Sequence, residues 1–266
     1  MPQTSSAQAT SLVKALRVLL ALEGYSEGRR VTEIARALEL PKSAVHRLLV
    51  TFQAHGFVQQ RPDSRYGLGP TLARLGLSAA EMFIPSRVAH PHLEALAHEV
   101  EETVFLGVLS QATVMIVDKV EWGQVLRISP ALGAVLPLSQ TGLGKLLLAF
   151  CPAARRDQLC EVLPGAESGA CRAPDVAALK QELVAIKRQG FAVSLEEWAP
   201  DVCCLVAPIR NGRGEVSAAL ALALPSSRMP QPQRHDPFAS HNLASHDSTL
   251  LSALLATAER ISEALP

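Results

Sequence analysis

Residues 31–68 constrain the fold more than any other part of the chain, because a proline separates two helical apolar patterns there. In VTEIARAL the apolar residues have the spacing of one helix face, and Thr32 is the expected N-cap. Pro41 suits the first turn of a helix but not its interior, so a second helix is expected from Lys42. Residues 39–41 then form a tight turn, and the pattern predicts a helix-turn-helix.

The second of these helices, residues 42–55, has two faces of different character. The face predicted to be buried follows the i, i+3, i+4, i+7 spacing and consists of Val45, Leu48, Leu49 and Phe52. The opposite face is small, basic and free of acidic residues. A helix that enters the major groove of DNA needs these properties, because carboxylates would repel the phosphates.

A polar turn between two short apolar segments follows this helix. The strings FVQQ, RPDS and RYGL predict two short strands around a turn, which is a wing, with Arg61 and Arg65 at its tip. Either arginine is placed to contact phosphate or the minor groove, and each alone is also compatible with a solvated surface charge. The predicted DNA contacts are Thr32, Lys42, Ser43, Ala44, His46, Arg47, Val50, Arg61 and Arg65.

A further helix is predicted upstream, with Thr10 or Ser11 as its N-cap. One side of it carries Leu12, Leu16, Leu19, Leu20 and Leu22. Charge separates this region from the rest of the chain. Residues 1–80 hold ten Lys or Arg and five Asp or Glu, whereas the remainder holds fifteen and twenty, for a net charge of zero. A polyanionic partner is therefore expected for the N-terminal part only. A helix-turn-helix used for protein contact alone remains an alternative, but it would not need an acid-free basic face.

The string VTEIARALELPKSAVHRLLVTFQAHGFVQQRPDSRYGLGPTLARLG resembles the DNA-binding half of the IclR family of bacterial transcriptional regulators. The resemblance implies that the helix beginning at Lys42 is the recognition helix. It also implies a linker helix from Pro70 that helps to hold two DNA-binding heads together. The expected domains are a disordered tail (1–9), a winged helix-turn-helix (10–69), the linker helix (70–84), and an effector-binding and oligomerisation domain (85–266).

Beyond residue 85 the pattern mixes strands and helices, which predicts an α+β domain with a largely antiparallel sheet. Helices are expected at residues 91–102, 143–150, 153–162, 175–189 (with Asp175 as N-cap) and 248–264, and strands at 103–109, 112–120, 125–128, 191–194, 204–209 and 216–224. The strings ETVFLGVL, LPLSQTGLGKLLLAF, KRQGFAV, EEW and CLVAPI extend the family resemblance through this half. The resemblance implies a curved sheet with helices on one face, similar to GAF and PAS sensor domains. A small organic acid or aromatic effector would lie in its concavity.

Two segments are candidates for the effector site. In the glycine-rich loop before residue 143, backbone N–H groups and the Thr141 hydroxyl could hold a carboxylate, or the glycines could simply make a turn. Lys145 could add charge there or point to water. The candidate residues are Gly133, Thr141, Gly142, Leu143, Gly144, Ser194, Cys204, Ala221 and Ala223.

The candidate effector site departs from the family pattern at three positions. Ser194 stands where an aspartate is common, and Ala221 and Ala223 stand where many members have serines. Because a small polar acid such as glyoxylate would lack partners for its oxygens, a more apolar effector is predicted. An aromatic compound fits this description, as does an effector whose polar end is held only by the glycine loop.

Other classes of function receive less support. Five cysteines without paired CxxC spacing are typical of a reduced cytoplasmic protein. The longest apolar stretch, Val216–Leu224, is too short to span a membrane, and the N-terminus lacks the features of a secretion signal. A thiol-based redox regulator, or an enzyme using Cys203 or Cys204, remains an alternative, although the apolar run CLVAP would blunt a thiolate.

No metal or other cofactor is expected. The segment from Pro225 to Ser248 carries five residues with the chemistry of metal ligands, but its composition predicts a mobile surface loop instead. The five are His235, Asp236, His241, His246 and Asp247. The expected partners are an operator in double-stranded DNA, a small organic effector, and further copies of the chain as a dimer or a dimer of dimers.

Overall fold

The computed structural model describes residues 6–83, 86–123, 130–161, 163, 176–229 and 248–266. The chain divides into two compact units, residues 1–84 and 85–266. Three sequence predictions fall outside the described residues: the strand at 125–128, the N-cap at Asp175, and most of the loop with the five potential metal ligands.

The first unit contains four helices and a two-stranded wing among its described residues. The helices are α1 (Ser6–Leu20), α2 (Val31–Leu38), α3 (Lys42–Ala54) and α4 (Pro70–Phe83), and the strands are β1 (Val58–Gln60) and β2 (Tyr66–Leu68). The strands pair antiparallel, with Gln59 opposite Gly67. The core joins α1, α2, α3 and the wing through Val18, Leu22, Ile34, Val45, Leu49, Val58 and Tyr66. The predicted winged helix-turn-helix is therefore present.

Two predicted helix starts in this unit were wrong. Helix α1 begins at Ser6 rather than at Thr10 or Ser11, because Ala7, Gln8 and Ala9 are residues that readily continue a helix. Helix α2 begins at Val31, so Thr32 lies in its first turn and is not the N-cap. Instead the Glu33 carboxylate accepts a hydrogen bond of 2.9 Å from the backbone N–H of Arg30.

The leucine side of α1 is divided between core and solvent. Val18 and Leu22 are buried, whereas Leu12 and Leu20 are each 64 % exposed and Leu16 is 49 % exposed. Helix α4 also carries exposed leucines, Leu75 at 45 % and Leu77 at 72 %. A single copy of this unit therefore leaves a considerable apolar surface in contact with solvent.

The second unit is built on a six-stranded sheet. Its strands are β3 (Thr103–Ser110), β4 (Thr113–Val120), β5 (Val135–Pro137), β6 (Ala192–Leu195), β7 (Val202–Arg210) and β8 (Val216–Pro225). The spatial order is β5-β4-β3-β8-β7-β6, and every neighbouring pair is antiparallel. Its helices are α5 (Ser86–Val100), α6 (Gly142–Phe150), α7 (Ala153–Glu161), α8 (Val176–Gln189) and α9 (Ser248–Ala264).

Helices cover both faces of this sheet, which corrects the expectation of helices on one face. Helices α5 and α9 contact each other and strands β3, β4, β7 and β8, while α6 contacts β6, β7, β8 and α8. Strand β8 explains how this is possible, because all of its residues from Ala218 to Leu224 are buried. Its small residues face α6 within one core, and its leucines alternate to the other side. The second unit is therefore a six-stranded sheet packed between two groups of helices.

Two further element predictions need correction. Strand β5 lies inside the segment expected to be a glycine-rich loop, and it pairs with β4 with Val114 opposite Leu136. Helix α5 begins at Ser86 and contains Pro91, which was expected near its start. Three residues are too few for a period of two to be recognised in sequence, which explains why β5 was missed.

Candidate functional site

Helix α3 presents the two faces that its sequence predicts. Val45 and Leu49 are fully buried, at 0 % exposure, against the rest of the first unit. The opposite side is open to solvent and holds Lys42, Ser43, His46, Arg47 and Val50, whereas Ala44 is half-buried. This exposed set, called here the α3 face, contains no acidic residue.

Arg47 lies at the centre of the α3 face. Within the part of the chain that the structure describes, its guanidinium has no hydrogen-bond or ion-pair partner, and its backbone carbonyl accepts from Thr51 Oγ1 at 3.0 Å. The helix begins after Pro41 without a side-chain cap. Its first N–H groups are therefore available to an anion such as a DNA phosphate.

The wing arginines are engaged within the protein, which sequence reasoning did not foresee. Arg61 forms an ion pair with Glu27 at 3.6 Å and donates to the carbonyl of Ser26. Arg65 donates to the carbonyl of Gly28 at 3.1 Å and pairs with Asp63 at 3.1 Å. Both side chains therefore brace the wing against the turn after α1. They reach DNA only if these contacts are shared or exchanged.

Two exposed cations near α2 were not among the predicted contacts. Arg30 and Arg36 are exposed, and Thr32 is exposed in the first turn between them. The neighbouring Arg29 is different, because it stacks over the Tyr25 ring at 4.3 Å and donates to the carbonyl of Ala21. The string GRRVTEIAR shows these arginines in the sequence. The helical pattern alone, however, does not predict that Arg30 is exposed while Arg29 is held by contacts within the protein.

In the second unit, Thr141 has a structural role at the start of α6. Its hydroxyl accepts from the backbone N–H of Gly144 at 3.1 Å and donates to the carbonyl of Pro137 at 2.7 Å. The residue is 5 % exposed. Its donor is thus already used in fixing the helix to β5, so a carboxylate would have to compete with these bonds.

The glycines of α6 allow the helix to lie unusually close to its neighbours. A Cβ on Gly144 would be 2.3 Å from the carbonyl oxygen of Leu138, and one on Gly142 would be 2.9 Å from Val206 Cγ2 and 3.2 Å from Ser194 Cβ. The sequence offered a carboxylate cradle or a simple turn as explanations. Close packing is a third explanation, and the structure gives it. Gly133 is different, because it is exposed and has a φ of 79°.

Lys145 is buried and forms the centre of an ion cluster with two partly exposed glutamates, called here the Lys145 cluster. Its Nζ lies 2.7 Å from Glu182 Oε1 of α8 and 2.6 Å from Glu197 Oε1 of the turn after β6. Ser194 Oγ donates to Glu197 Oε2 at 3.0 Å. Lys145 is 5 % exposed, so it neither points to water nor offers a free charge to an effector.

Both glutamates of the cluster were missed by sequence reasoning. The signal was the lysine itself, because the string GLGKLLLAF predicts a buried helix and a buried ammonium requires acidic partners. Two carboxylates around one ammonium leave one negative charge in excess. The cluster therefore opposes the entry of another bare carboxylate and favours a hydrogen-bond donor.

The remaining candidates come together on the α6 side of the sheet. Cys204 is the register partner of both Ser194 and Ala223. Ala221, two residues before Ala223 on β8, lies opposite Val206. Ser194, Ala221 and Ala223 are buried, and Leu143 belongs to the same core. The structure thus joins five of the candidates in one largely apolar region beside the Lys145 cluster: Leu143, Ser194, Cys204, Ala221 and Ala223. Gly142 lies against Ser194, whereas Thr141 and Gly144 contact Pro137 and Leu138, and Gly133 is exposed.

The described thiols are poorly ionised. Desolvation, with smaller contributions from Cys203 and Glu197, raises the pKa of the Cys204 thiol to about 12. Burial also raises the pKa of Cys151, Cys160 and Cys203 above the usual range. At neutral pH these four side chains are weak nucleophiles and slow to react with oxidants.

None of the helices in the described part of the chain has both the length and the apolar composition needed to cross a membrane. The same residues contain no group of three or more His, Cys, Asp or Glu side chains arranged to hold a metal ion.

Two family models match the chain. The IclR helix-turn-helix domain matches residues 11–62, and the C-terminal model of the bacterial transcriptional regulator IclR matches residues 85–262. The transcriptional repressor IclR of Escherichia coli strain K12 is 32 % identical over 242 residues, which cover 86 % of each protein.

Solved structures have the same fold. IclR of Thermotoga maritima has a TM-score of 0.67 at 25 % identity, covering 97 % of this chain and 99 % of that one. An IclR homologue of Microbacterium hydrocarbonoxydans, crystallised with 4-hydroxybenzoate, has a TM-score of 0.77 at 23 % identity, covering 96 % of this chain and 98 % of that one.

Proposed function

The chain belongs to the IclR family of bacterial DNA-binding transcriptional regulators, and we propose that the α3 face reads its operator while the α6 side of the sheet senses a small organic effector. The observation that carries the proposal is the exposed, acid-free α3 face, at whose centre the Arg47 guanidinium has no partner among the described residues. A helix of this character, presented beside a wing, fits the major groove.

The test is footprinting on the DNA that flanks the chain's own gene. The full-length protein is expected to protect a pseudo-palindromic segment, because two copies would present two recognition helices to related half-sites. Repeating the footprint with a panel of aromatic and keto acids identifies the effector, since one compound is expected to remove or shift the protection. Equal protection of random DNA at the same protein concentration would contradict the proposal.

A dimer, or a dimer of dimers, is the proposed assembly. The exposed leucines of α1 and α4 support pairing of two copies of the first unit, because a monomer would leave them in water. In this proposal residues 10–69 bind DNA, α4 within residues 70–84 helps to hold two heads together, and residues 85–266 sense the effector and contribute to assembly.

For the effector we propose an aromatic compound with a hydrogen-bond donor. Its apolar body would lie against Ala221, Ala223 and Cys204, and its donor would meet the surplus carboxylate of the Lys145 cluster. The related protein crystallised with 4-hydroxybenzoate supports this choice of class. Isothermal titration is expected to give weak binding of small oxoacids, and tight glyoxylate binding would contradict the proposal.

Effector binding would regulate transcription through linkage. The effector shifts operator affinity only by its difference in affinity for the DNA-competent and DNA-incompetent states. The reciprocal effect gives a check, because saturating operator DNA must change effector affinity by the same factor. An effector that removes the footprint is expected to bind less tightly to the operator-bound protein.

Members of this family are transcriptional regulators, and we propose that this chain acts without catalysis, in the cytoplasm. The elevated pKa values of the described thiols support this proposal against the cysteine-enzyme and redox-sensor alternatives. At pH 8 a thiol with a pKa of about 12 is ionised to roughly one part in ten thousand. Iodoacetamide is therefore expected to label Cys204 only after unfolding, and peroxide is expected to leave operator affinity unchanged. Rapid labelling of the native protein would revive the alternatives.

A further inference from the structure

The second unit carries a cationic groove between α7 and α8 that has no part in the proposed function. The groove encloses about 530 Å³, within the range of small-molecule pockets, and is lined by Arg156, Asp157, Lys180, Leu183, Val184, Lys187 and Arg188. These residues are all described, and they lie on different elements from the α3 face and from the wing.

Four cations and one acid line this groove, although it belongs to a part of the chain with an acid excess. Residues 81–266 hold fifteen Lys or Arg against twenty Asp or Glu. The only acid in the groove, Asp157, lies 3.7 Å from Arg156, too far for a short hydrogen bond. Three positive charges are therefore left without an acidic partner in the lining, and their mutual repulsion falls when an anion binds.

Helical spacing places the cations and an apolar wall on one side of α8. Lys180, Val184, Lys187 and Arg188 follow the i, i+4, i+7, i+8 spacing. Leu179 and Ile186 on the other side are buried, and Leu183, also buried, lies between the two sides. Val184 is 70 % exposed and Leu183 closes the groove from below at 3 % exposure. An anion that entered would thus meet apolar surface as well as charge.

Cations from both helices line the one groove, Arg156 from α7 and the other three from α8. Burial is the main cause of the raised pKa of the Cys160 thiol, and the positive charges of Lys180 on α8 and Arg156 on α7 both oppose it. Both side chains therefore lie close enough to Cys160 for their fields to act on it. A lining shared by two helices distinguishes the groove from a row of surface lysines on one helix.

We propose that the groove between α7 and α8 is a second ligand site, which binds a small organic anion with an apolar body, the anionic group between Lys180 and Lys187 and the body against Leu183 and Val184. The concave shape and the buried leucine favour a small molecule over a flat macromolecular contact. The proposal is independent of the effector site, because it shares no residue with the Lys145 cluster or with the alanines of β8.

Isothermal titration of the full-length protein with naphthalene-1-sulfonate tests the proposal, with methanesulfonate as the same anion without a ring. We expect naphthalene-1-sulfonate to bind at one site per chain that depends on the groove residues. Methanesulfonate should bind at least tenfold more weakly. Lys180→Ala with Lys187→Ala is expected to weaken the ring compound about tenfold. Val184→Ser is expected to weaken it about threefold while leaving methanesulfonate unchanged.

The matched control is Arg155→Ala with Arg213→Ala, which removes two exposed cations from the same unit outside the groove. This control is expected to keep the wild-type affinity. Circular dichroism melting confirms that each variant is folded. The proposal is overturned if naphthalene-1-sulfonate does not bind at millimolar concentration, if methanesulfonate binds equally well, or if the groove variant binds as tightly as the control.

Discussion

At the scale of single residues, Arg47 is the side chain on which operator recognition should depend most. Its guanidinium is exposed and unpaired in the described structure, so no intramolecular contact has to break before it donates to a base. Arg47→Ala is expected to weaken operator binding by about 1–3 kcal/mol in a gel-shift titration. Because the residue carries no core contact, the melting temperature should stay unchanged.

The same variant distinguishes reading of a base from contact with a phosphate. If Arg47 reads a base, affinity for random DNA falls much less than affinity for the operator. Equal losses on both DNAs would assign it to a phosphate, and unaltered binding would remove it from the interface. Arg61→Ala gives a contrasting case, because its bonds to the turn after α1 predict a loss of stability together with a loss of affinity.

Lys145 illustrates how a residue can be noticed in sequence and still be misread. A lysine within GLGKLLLAF is visible as an anomaly, but its partners lie 37 and 52 residues further along the chain. Nothing in the local pattern identifies Glu182 or Glu197, because both are brought to α6 only by the fold. The sequence therefore offered an effector contact or a solvated charge, and neither describes a lysine held between two carboxylates.

Lys145→Met is expected to destabilise the protein strongly, because it leaves two partly buried carboxylates without their cation. Removing one partner of a buried ion pair costs about 3–5 kcal/mol, and the partial exposure of both glutamates places the expected loss near 3 kcal/mol. Urea unfolding measures the change.

Adding Glu182→Gln and Glu197→Gln to that variant is expected to restore much of the lost stability, since the uncompensated charges disappear. No recovery in the triple variant would show that Lys145 contributes through packing of its alkyl chain instead.

At the scale of elements, long periodic segments were predictable and short ones were not. The terminal helix α9 has the predicted bounds, and α3 begins at the predicted residue because Pro41 marks its start. Strand β5 has only three residues and α5 contains a proline, so neither has a distinctive period. The helices on the second face of the sheet were predicted as elements, but their placement depends on the alternation of small and large residues in β8.

The approach of α6 to its neighbours gives a prediction at this scale. Gly144→Ala is expected to destabilise the protein by about 1–3 kcal/mol, because its methyl group would lie 2.3 Å from the Leu138 carbonyl oxygen and force α6 away from it. Gly76→Ala adds the same methyl to the exposed helix α4, where no atom lies within 4 Å. It should stabilise the chain by up to about 1 kcal/mol.

Urea unfolding of both variants measures this difference. The changes in the free energy of unfolding should have opposite signs. Both substitutions replace glycine by alanine within a helix, so helix propensity alone would stabilise both variants. If Gly144→Ala proved neutral, α6 would have to shift without cost, and close packing would not explain its glycines.

At the scale of the whole molecule, the two-part organisation was readable because composition changes along the chain. The basic N-terminal part and its helical periods differ from the acidic α+β part, and the structure divides at residues 84 and 85. The proposed effector site was less readable, because its residues come from α6, β6, β7 and β8. Only tertiary pairing, such as Cys204 beside both Ser194 and Ala223, unites them.

The molecule's exposed leucines give the last prediction, because they connect assembly with DNA binding. Leu16 and Leu20 lie one turn apart on α1, on the side that the core leaves uncovered. In a dimer the 49 % of Leu16 and the 64 % of Leu20 that are exposed would be buried, each contributing about 1–2 kcal/mol. Leu16→Lys with Leu20→Lys should therefore weaken self-association and, through it, operator affinity, while the fold of each copy persists. Light scattering gives the mass and a gel shift gives the affinity. The control is Leu132→Lys, which places a charge on a similarly exposed leucine of the second unit (59 %). It should change neither the mass nor the operator affinity. A double variant that stays dimeric and binds its operator normally would assign the pairing of heads to another surface, with the leucines of α4 as the next to test.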